Sequence, residues 1–271
     1  HLIRLLENKL KYIELMYGIV RITNIGMREA FTTLRIIDGL IYTYLYDRGL
    51  TCRVRPMDNS KENLLGAYVR TPVKGIFEWM SDLDLSSLYP YIMARLNLSM
   101  DTYVGKIDED VMYNYIYHRD MFDAIPTVHI SLSNNQEGDV TPQKFHEWIT
   151  NNNYIVTIAG TIFKSHEEEQ SILYEIIDLM INERKKYKKL MLEAVHDNDD
   201  QMYDRYDNMQ MTYKVITNAI YGAMGNAGFR FFSNELAQTI TKTGRELSRI
   251  GAFMVNEYFK RMIDEKSIDV E

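Results

Sequence analysis

The chain has 271 residues, 46% hydrophobic and 25% charged, which excludes a disordered or low-complexity protein. Its single cysteine, Cys52, excludes a disulfide framework and a Cys-rich zinc site. The net charge of −7 argues against a protein that coats nucleic acid over its whole surface, and leaves room for a local basic cleft.

In chain order, residues 1–20 read as a helix, with Leu2, Leu5, Leu6, Leu10, Ile13 and Tyr17 at spacings of three and four. No positively charged leader precedes an apolar core there. Residues 28–48 read as a second helix closed by Asp47-Arg48-Gly49. Residues 36–46, the best apolar run, are too short to cross a bilayer and carry Asp38. Residues 66–75 read as extended chain with turns at both ends. Residues 78–85 alternate like a strand, and Ser86-Ser87 offers an N-cap for a helix starting near Pro90. Residues 101–165 are mixed, with a β-branched strand candidate at 154–159. From residue 171 onward nearly everything reads helical, with loops near 197–200 and 225–228.

Residues 171–193 would form a helix roughly 35 Å long at 1.5 Å per residue. Its i,i+4 row is Ile176, Met180, Arg184, Lys188, apolar at first and then basic. Such a helix leaves the core and runs along an anionic cleft. Residues 208–221 form a second helix with Lys214, Asn218 and Tyr221 on one face. Residues 182–189 are basic and residues 193–207 acidic, so the pair makes an antiparallel hairpin with a working face and a solvated tip. Arg184, Lys188, Lys214 and Asn218 on that face suit a triphosphate: forked hydrogen bonds, point charge and orientation.

Asp82-Leu-Asp-Leu-Ser-Ser-Leu-Tyr-Pro90 puts a carboxylate at a strand end beside a helix start. The carboxylate can hold a divalent cation, and free N–H groups nearby can bind phosphate. Metal and triphosphate together equip a site for nucleotidyl transfer.

These residues carry a resemblance. Asp84-Leu-Ser-Ser-Leu-Tyr-Pro resembles motif A of family B DNA polymerases, and Lys214-Val-Ile-Thr-Asn-Ala-Ile-Tyr-Gly222 resembles their motif B, about 130 residues later. Residues 66–72 and 223–232 look most like the polymerases of T-even-like phages. The resemblance implies an α+β, helix-rich fold: a partial palm sheet with packed helices, plus a long antiparallel helical hairpin, the fingers. It implies the tail of an exonuclease domain at 1–50, a first part of the palm at 51–170, fingers at 171–226 and a returning palm helix at 227–271. It implies template-directed addition of deoxynucleotides to a primer 3′-OH. Primer-template DNA and dNTP would be the partners, in the cytoplasm of a phage-infected bacterial host.

By resemblance, Asp84 binds both Mg2+ ions, with the Leu85 carbonyl assisting. The Ser87 and Leu88 amides, Arg184, Lys188, Lys214 and Asn218 hold the triphosphate. Tyr89 lies under the sugar as a gate against a 2′-OH, and Tyr221 and Gly222 lie near the nascent base pair and primer end. Tyr91 and Ala219 stand where the family usually has Ser, and Leu65 replaces an aromatic before Gly66. Motif C, the exonuclease motifs and the thumb are absent from these 271 residues. The expectation is therefore a fragment or split subunit, inactive alone, whose second metal carboxylate comes from a missing part or second polypeptide. The rival reading is a non-catalytic nucleotide- and DNA-binding half of a split enzyme. Asp82 is a minor candidate for a second ligand. Lys185, Lys186 and Lys189 read as a solvated helix face, and His166 as surface. Thr239-Ile-Thr-Lys-Thr-Gly-Arg245 lacks Walker spacing and reads as a packed helix.

Overall fold

The computed structural model describes residues 2–51, 66–76 and 83–264. The first expected helix is two, α1 (Leu2–Leu10) and α2 (Tyr12–Thr23), broken at Lys11, whose φ of 52° is left-handed. The apolar spacing runs through the break, so sequence alone joins them. The face it marks is exposed; Met16, Ile19 and Thr23 of α2 are the residues buried instead. A short 3-10 turn, Glu29–Phe31, leads into α3 (Thr33–Asp47), which buries Ile36, Ile37, Leu40 and Ile41. The chain leaves α3 at Gly49, φ 66°.

Residues 66–76 are irregular, as expected for extended chain and turn. Of the strand expected at 78–85, residues 78–82 lie outside the described residues, as do Cys52, Leu65 and Asp82. Leu83, Asp84 and Leu85 are coil and not strand. The reason is that a strand needs a ladder partner, and among the described residues every ladder pair lies within 103–163. Helix α4 (Leu88–Arg95) then starts two residues before Pro90.

The sheet uses β1 (Tyr103–Lys106), β2 (Val128–Leu132), β3 (Glu137–Val140), β4 (Ile155–Val156) and β5 (Thr161–Phe163) in the order β3-β2-β1-β5-β4. All four pairings are antiparallel, with Ile130 opposite Gly138 and Lys106 opposite Thr161. The strand expected at 154–159 shortens to two residues because the chain turns at Gly160, φ 80°. A Cβ there would lie 2.3 Å from the Ile107 carbonyl oxygen, so glycine is required. Helices α5 (Glu109–Tyr117), α6 (Arg119–Asp123) and α7 (Pro142–Asn151) complete this unit. Asp108 caps α5, and Thr141 followed by Pro142 starts α7. Met112, Phe122, Phe145 and Ile162 form its core.

The second half is the hairpin of α8 (Ile172–His196) and α9 (Asp200–Met224), followed by α10 (Asn234–Asp264). Ser171 caps α8 through the Tyr174 amide at 3.0 Å, and Asp199 caps α9 through Met202 at 3.0 Å. Tyr187 stacks on Tyr213 across the hairpin, 5.7 Å between centroids. The larger core joins residues of α2, α3, α4, α8, α9 and the start of α10, with Ile37, Met93, Ile177 and Ile216 fully buried. The Thr239–Arg245 stretch is packed helix: Thr239 Oγ1 lies 2.8 Å from Thr161 Oγ1, and Thr241 is buried. Among the described residues no helix is long and apolar enough to cross a membrane.

Candidate active site

The site begins with backbone. Ser87 precedes α4 with φ 54° and ψ 40°, a conformation uncommon outside glycine. Its hydroxyl does not cap α4. Among the described residues no acceptor pairs with the amides of Ser87, Leu88 and Tyr89. Pro90, two residues into the helix, has no N–H to satisfy and costs nothing there. Unpaired N–H groups at a helix start favour an anion.

Asp84, Leu85, Ser87, Leu88 and Tyr89 line one cavity of about 450 Å3, closed by Asn218 of α9 and Ser248 of α10. Asp84 is exposed to this space and makes no hydrogen bond or ion pair among the described residues. Its hard oxygen donors suit Mg2+, which keeps several waters and is commonly held by one or two carboxylates plus substrate phosphates. A single free carboxylate beside unpaired amides fits that donor set. Among the described residues no three His, Cys, Asp or Glu side chains are grouped to hold an ion by themselves.

Helix α8 follows the gradient of its sequence. Ile176 and Met180 are buried, Arg184 is half-buried and Lys188 is exposed. Arg184 Nη1 reaches Ser87 Oγ at 3.5 Å, while its buried Nε has no partner. Thus the guanidinium spans from α8 to the start of α4 with donor capacity unused. Because α8 and α9 are antiparallel, Lys188 lies one turn nearer the tip than Arg184, as Lys214 lies one turn nearer than Asn218. Neither lysine is paired among the described residues. By contrast Lys186 pairs with Glu183 at 3.2 Å and Lys189 with Glu193 at 3.7 Å, an ordinary solvated face. The acidic tip is less uniformly solvated than its charges imply. Asp204 meets Lys11 at 3.8 Å, and Asn208 donates to Glu14 at 2.6 Å, docking α9 on α2.

Tyr89 and Tyr221 form an aromatic pair, 4.4 Å between centroids and tilted by 45°. Burial, and next the Tyr89 hydroxyl, raise the Tyr221 pKa above its ordinary value, so it is a neutral phenol at physiological pH. Gly222 is exposed beside it. Of the expected residues, Asp84, Leu85, Ser87, Leu88, Tyr89 and Asn218 line the cavity; Arg184 reaches Ser87 and Tyr221 packs on Tyr89, while Lys188, Lys214 and Gly222 are not part of its lining.

The expected returning helix is present as α10, but sequence reading missed that its residues reach the site. Ser248 lines the cavity, and Gly244, one turn earlier, faces the Tyr89 ring. The only trace was a small residue at each i,i+4 position after a stretch that invited a phosphate-loop reading. Arg245 also donates to the Gly66 carbonyl at 3.3 Å, and the Arg249 guanidinium lies 5.2 Å over the Tyr68 ring. These contacts tie residues 66–68 to the helix that backs the site.

The DNA-directed DNA polymerase of Escherichia phage RB69 is 22% identical over 95% of this chain and 30% of its own length. That of Enterobacteria phage T4 is 22% identical over 93% and 30%. DNA polymerase 1 of Pyrococcus abyssi is 24% identical over 79% of this chain and 22% of its own length. Phage and archaeal relatives are thus equally similar, and a T-even type is not singled out. The chain spans under a third of the length of these relatives. The family B DNA polymerase of the archaeon Pyrobaculum calidifontis superimposes with a TM-score of 0.62 at 22% identity, over 95% of this chain and 28% of that one. A profile of DNA polymerase family B matches residues 34–268, and the chain belongs to that family.

Proposed function

We propose that the cavity holds a deoxynucleoside triphosphate with Mg2+, and that this chain carries the nucleotide-binding part of a DNA-directed DNA polymerase. One observation carries the reading. The Asp84–Tyr89 loop and Asn218 face one cavity, with Arg184 bridging to Ser87.

Bound magnesium would supply Lewis-acid stabilisation for in-line attack of a primer 3′-OH on the α-phosphorus, with pyrophosphate leaving. The chain's own groups do the rest. Asp84 and the Leu85 carbonyl would hold the metal. The Ser87 and Leu88 amides donate to phosphate oxygens. Arg184, Lys188 and Lys214 neutralise the triphosphate, and Asn218 orients it. Tyr89 lies under the sugar and excludes a 2′-OH, while Tyr221 and Gly222 contact the base pair and primer end. The second carboxylate of a two-metal site would come from residues beyond those described or from a second polypeptide carrying motif C and the thumb.

In this reading residues 1–50 close an exonuclease domain, 51–170 and 227–271 build palm, and 171–226 are fingers. The phage-type setting, in the cytoplasm of an infected bacterium, is supported by residues 66–72 and 223–232 and by the likeness to the two phage polymerases.

The test is primer extension with magnesium, with and without a polypeptide carrying motif C and the thumb. Extension only by the pair supports the proposal. Extension by the lone chain would direct attention to Asp82. Nucleotide and DNA binding without extension in either case would support the non-catalytic reading.

A further inference from the structure

The Tyr89 ring has two walls. One is Tyr221, 4.4 Å away between centroids. The other is the backbone of α10 at Gly244. A Cβ built at Gly244 would lie 2.9 Å from Tyr89 Cε1 and 3.5 Å from both Tyr89 Cδ1 and Ile92 Cδ1. The first distance is shorter than real methyl contacts allow. Gly244 is interior to a 31-residue helix, where glycine is less favourable than alanine. Its backbone needs no positive φ. Among the described residues, the Tyr89 ring is the one neighbour that a Cβ at Gly244 would meet too closely. One turn on, Ser248 lines the cavity and donates to the Gly244 carbonyl at 2.8 Å, which turns its hydroxyl back onto the helix. Together Gly244 and Ser248 form a notch.

We propose that the Gly244–Ser248 notch of α10 is the back wall that sets the depth of Tyr89 in the cavity, and so the room left for the sugar of a bound nucleotide. The proposal rests on the nucleotide-site reading above. Gly244 is a positioning residue and touches no substrate. A methyl group there displaces the ring. Tyr221 blocks one side and Gly244 the other, so the free direction is the cavity that Tyr89 lines. The ring then encroaches on the sugar while the triphosphate cradle on α8 and α9 is untouched.

The test uses the full chain with magnesium, and equilibrium binding of dATP and of inorganic tripolyphosphate, which has no sugar. Gly244→Ala should weaken dATP binding about tenfold and leave tripolyphosphate binding unchanged. In a Tyr89→Ala background, which has no ring to displace, the same substitution should change dATP affinity less than about twofold. A second readout needs no nucleotide. Gly244→Ala should lower the melting temperature when Tyr89 is present, and raise it in Tyr89→Ala, where only helix propensity remains. Equal effects in both backgrounds, or no effect in either, would overturn the notch. If the melts show the expected reversal while the wild-type chain binds neither dATP nor tripolyphosphate, the nucleotide-site reading fails, and the sugar role with it.

Discussion

Asn97 Oδ1 accepts a hydrogen bond from the Ser171 amide at 2.8 Å, linking the end of α4 to the start of α8. The same side chain donates through Nδ2 to the Lys164 carbonyl at 3.0 Å and the Glu169 carbonyl at 2.7 Å. Asn97 is fully buried and left-handed, φ 51°. It therefore joins the helix that follows Asp84 to the helix that carries Arg184. Asn97→Ala should cost about 3–5 kcal/mol, because it strands buried backbone groups. Urea denaturation measures this. A loss below about 1 kcal/mol would show that water or relaxation replaces the side chain.

Asp84→Asn should abolish nucleotide incorporation by the assembled enzyme, on the order of 10^3-fold or more, given the several kcal/mol a bound metal supplies. Binding of primer-template DNA should be nearly unchanged. Single-turnover extension alongside a DNA-binding titration makes the comparison. Near-normal incorporation would remove Asp84 from the metal site.

Lys214→Ala should raise the KM for dNTP by about 10- to 100-fold, from the roughly 1.5–3 kcal/mol carried by a charged hydrogen bond. Lys214 is exposed and unpaired among the described residues, so its removal strands no partner and should leave stability unchanged. An equal loss of DNA affinity would make it a DNA-backbone contact instead.

Two tyrosines set an alkaline limit on stability. Burial, with Glu235 adding, pushes the Tyr103 hydroxyl up to about 12 from an ordinary 10.0. Burial, with Glu183 and Tyr187 adding, does the same to Tyr213. Above pH 10 the unfolded chain releases protons that the folded chain retains, so stability falls as pH rises from about 10 toward 12. Denaturation midpoints across that window should drop for the wild type. They should drop less for the Tyr103→Phe/Tyr213→Phe double variant. Parallel curves would assign the decline to other groups.

The parts of the candidate site that the chain made legible are local. The run Ile176, Met180, Arg184, Lys188 is a single helix row, so its passage from core to surface follows from residue type at 3.6-residue periodicity. The same holds for Lys214, Asn218 and Tyr221. The loop residues Asp84 to Tyr89 were legible as chemistry, since carboxylate, small residues and a helix start are neighbours in sequence.

Other features depend on what lies across the fold. Periodicity could not reveal the break at Lys11, since a left-handed residue leaves the apolar spacing intact. Alternation at 78–85 predicted a strand. A strand exists only if a partner supplies its hydrogen bonds, and the described part of that segment, Leu83 to Leu85, is coil. The left-handed Ser87, the reach of Asn97 to Ser171, and the ring of Tyr89 seated between Tyr221 and Gly244 are decided by packing between segments far apart in the chain. The sequence by itself determined which groups have the chemistry that suits a metal and a triphosphate, because that is a property of residue type and local spacing. The tertiary structure decided how deep the cavity is and which backbone stands behind it, because close packing is set by the neighbours a side chain meets in space.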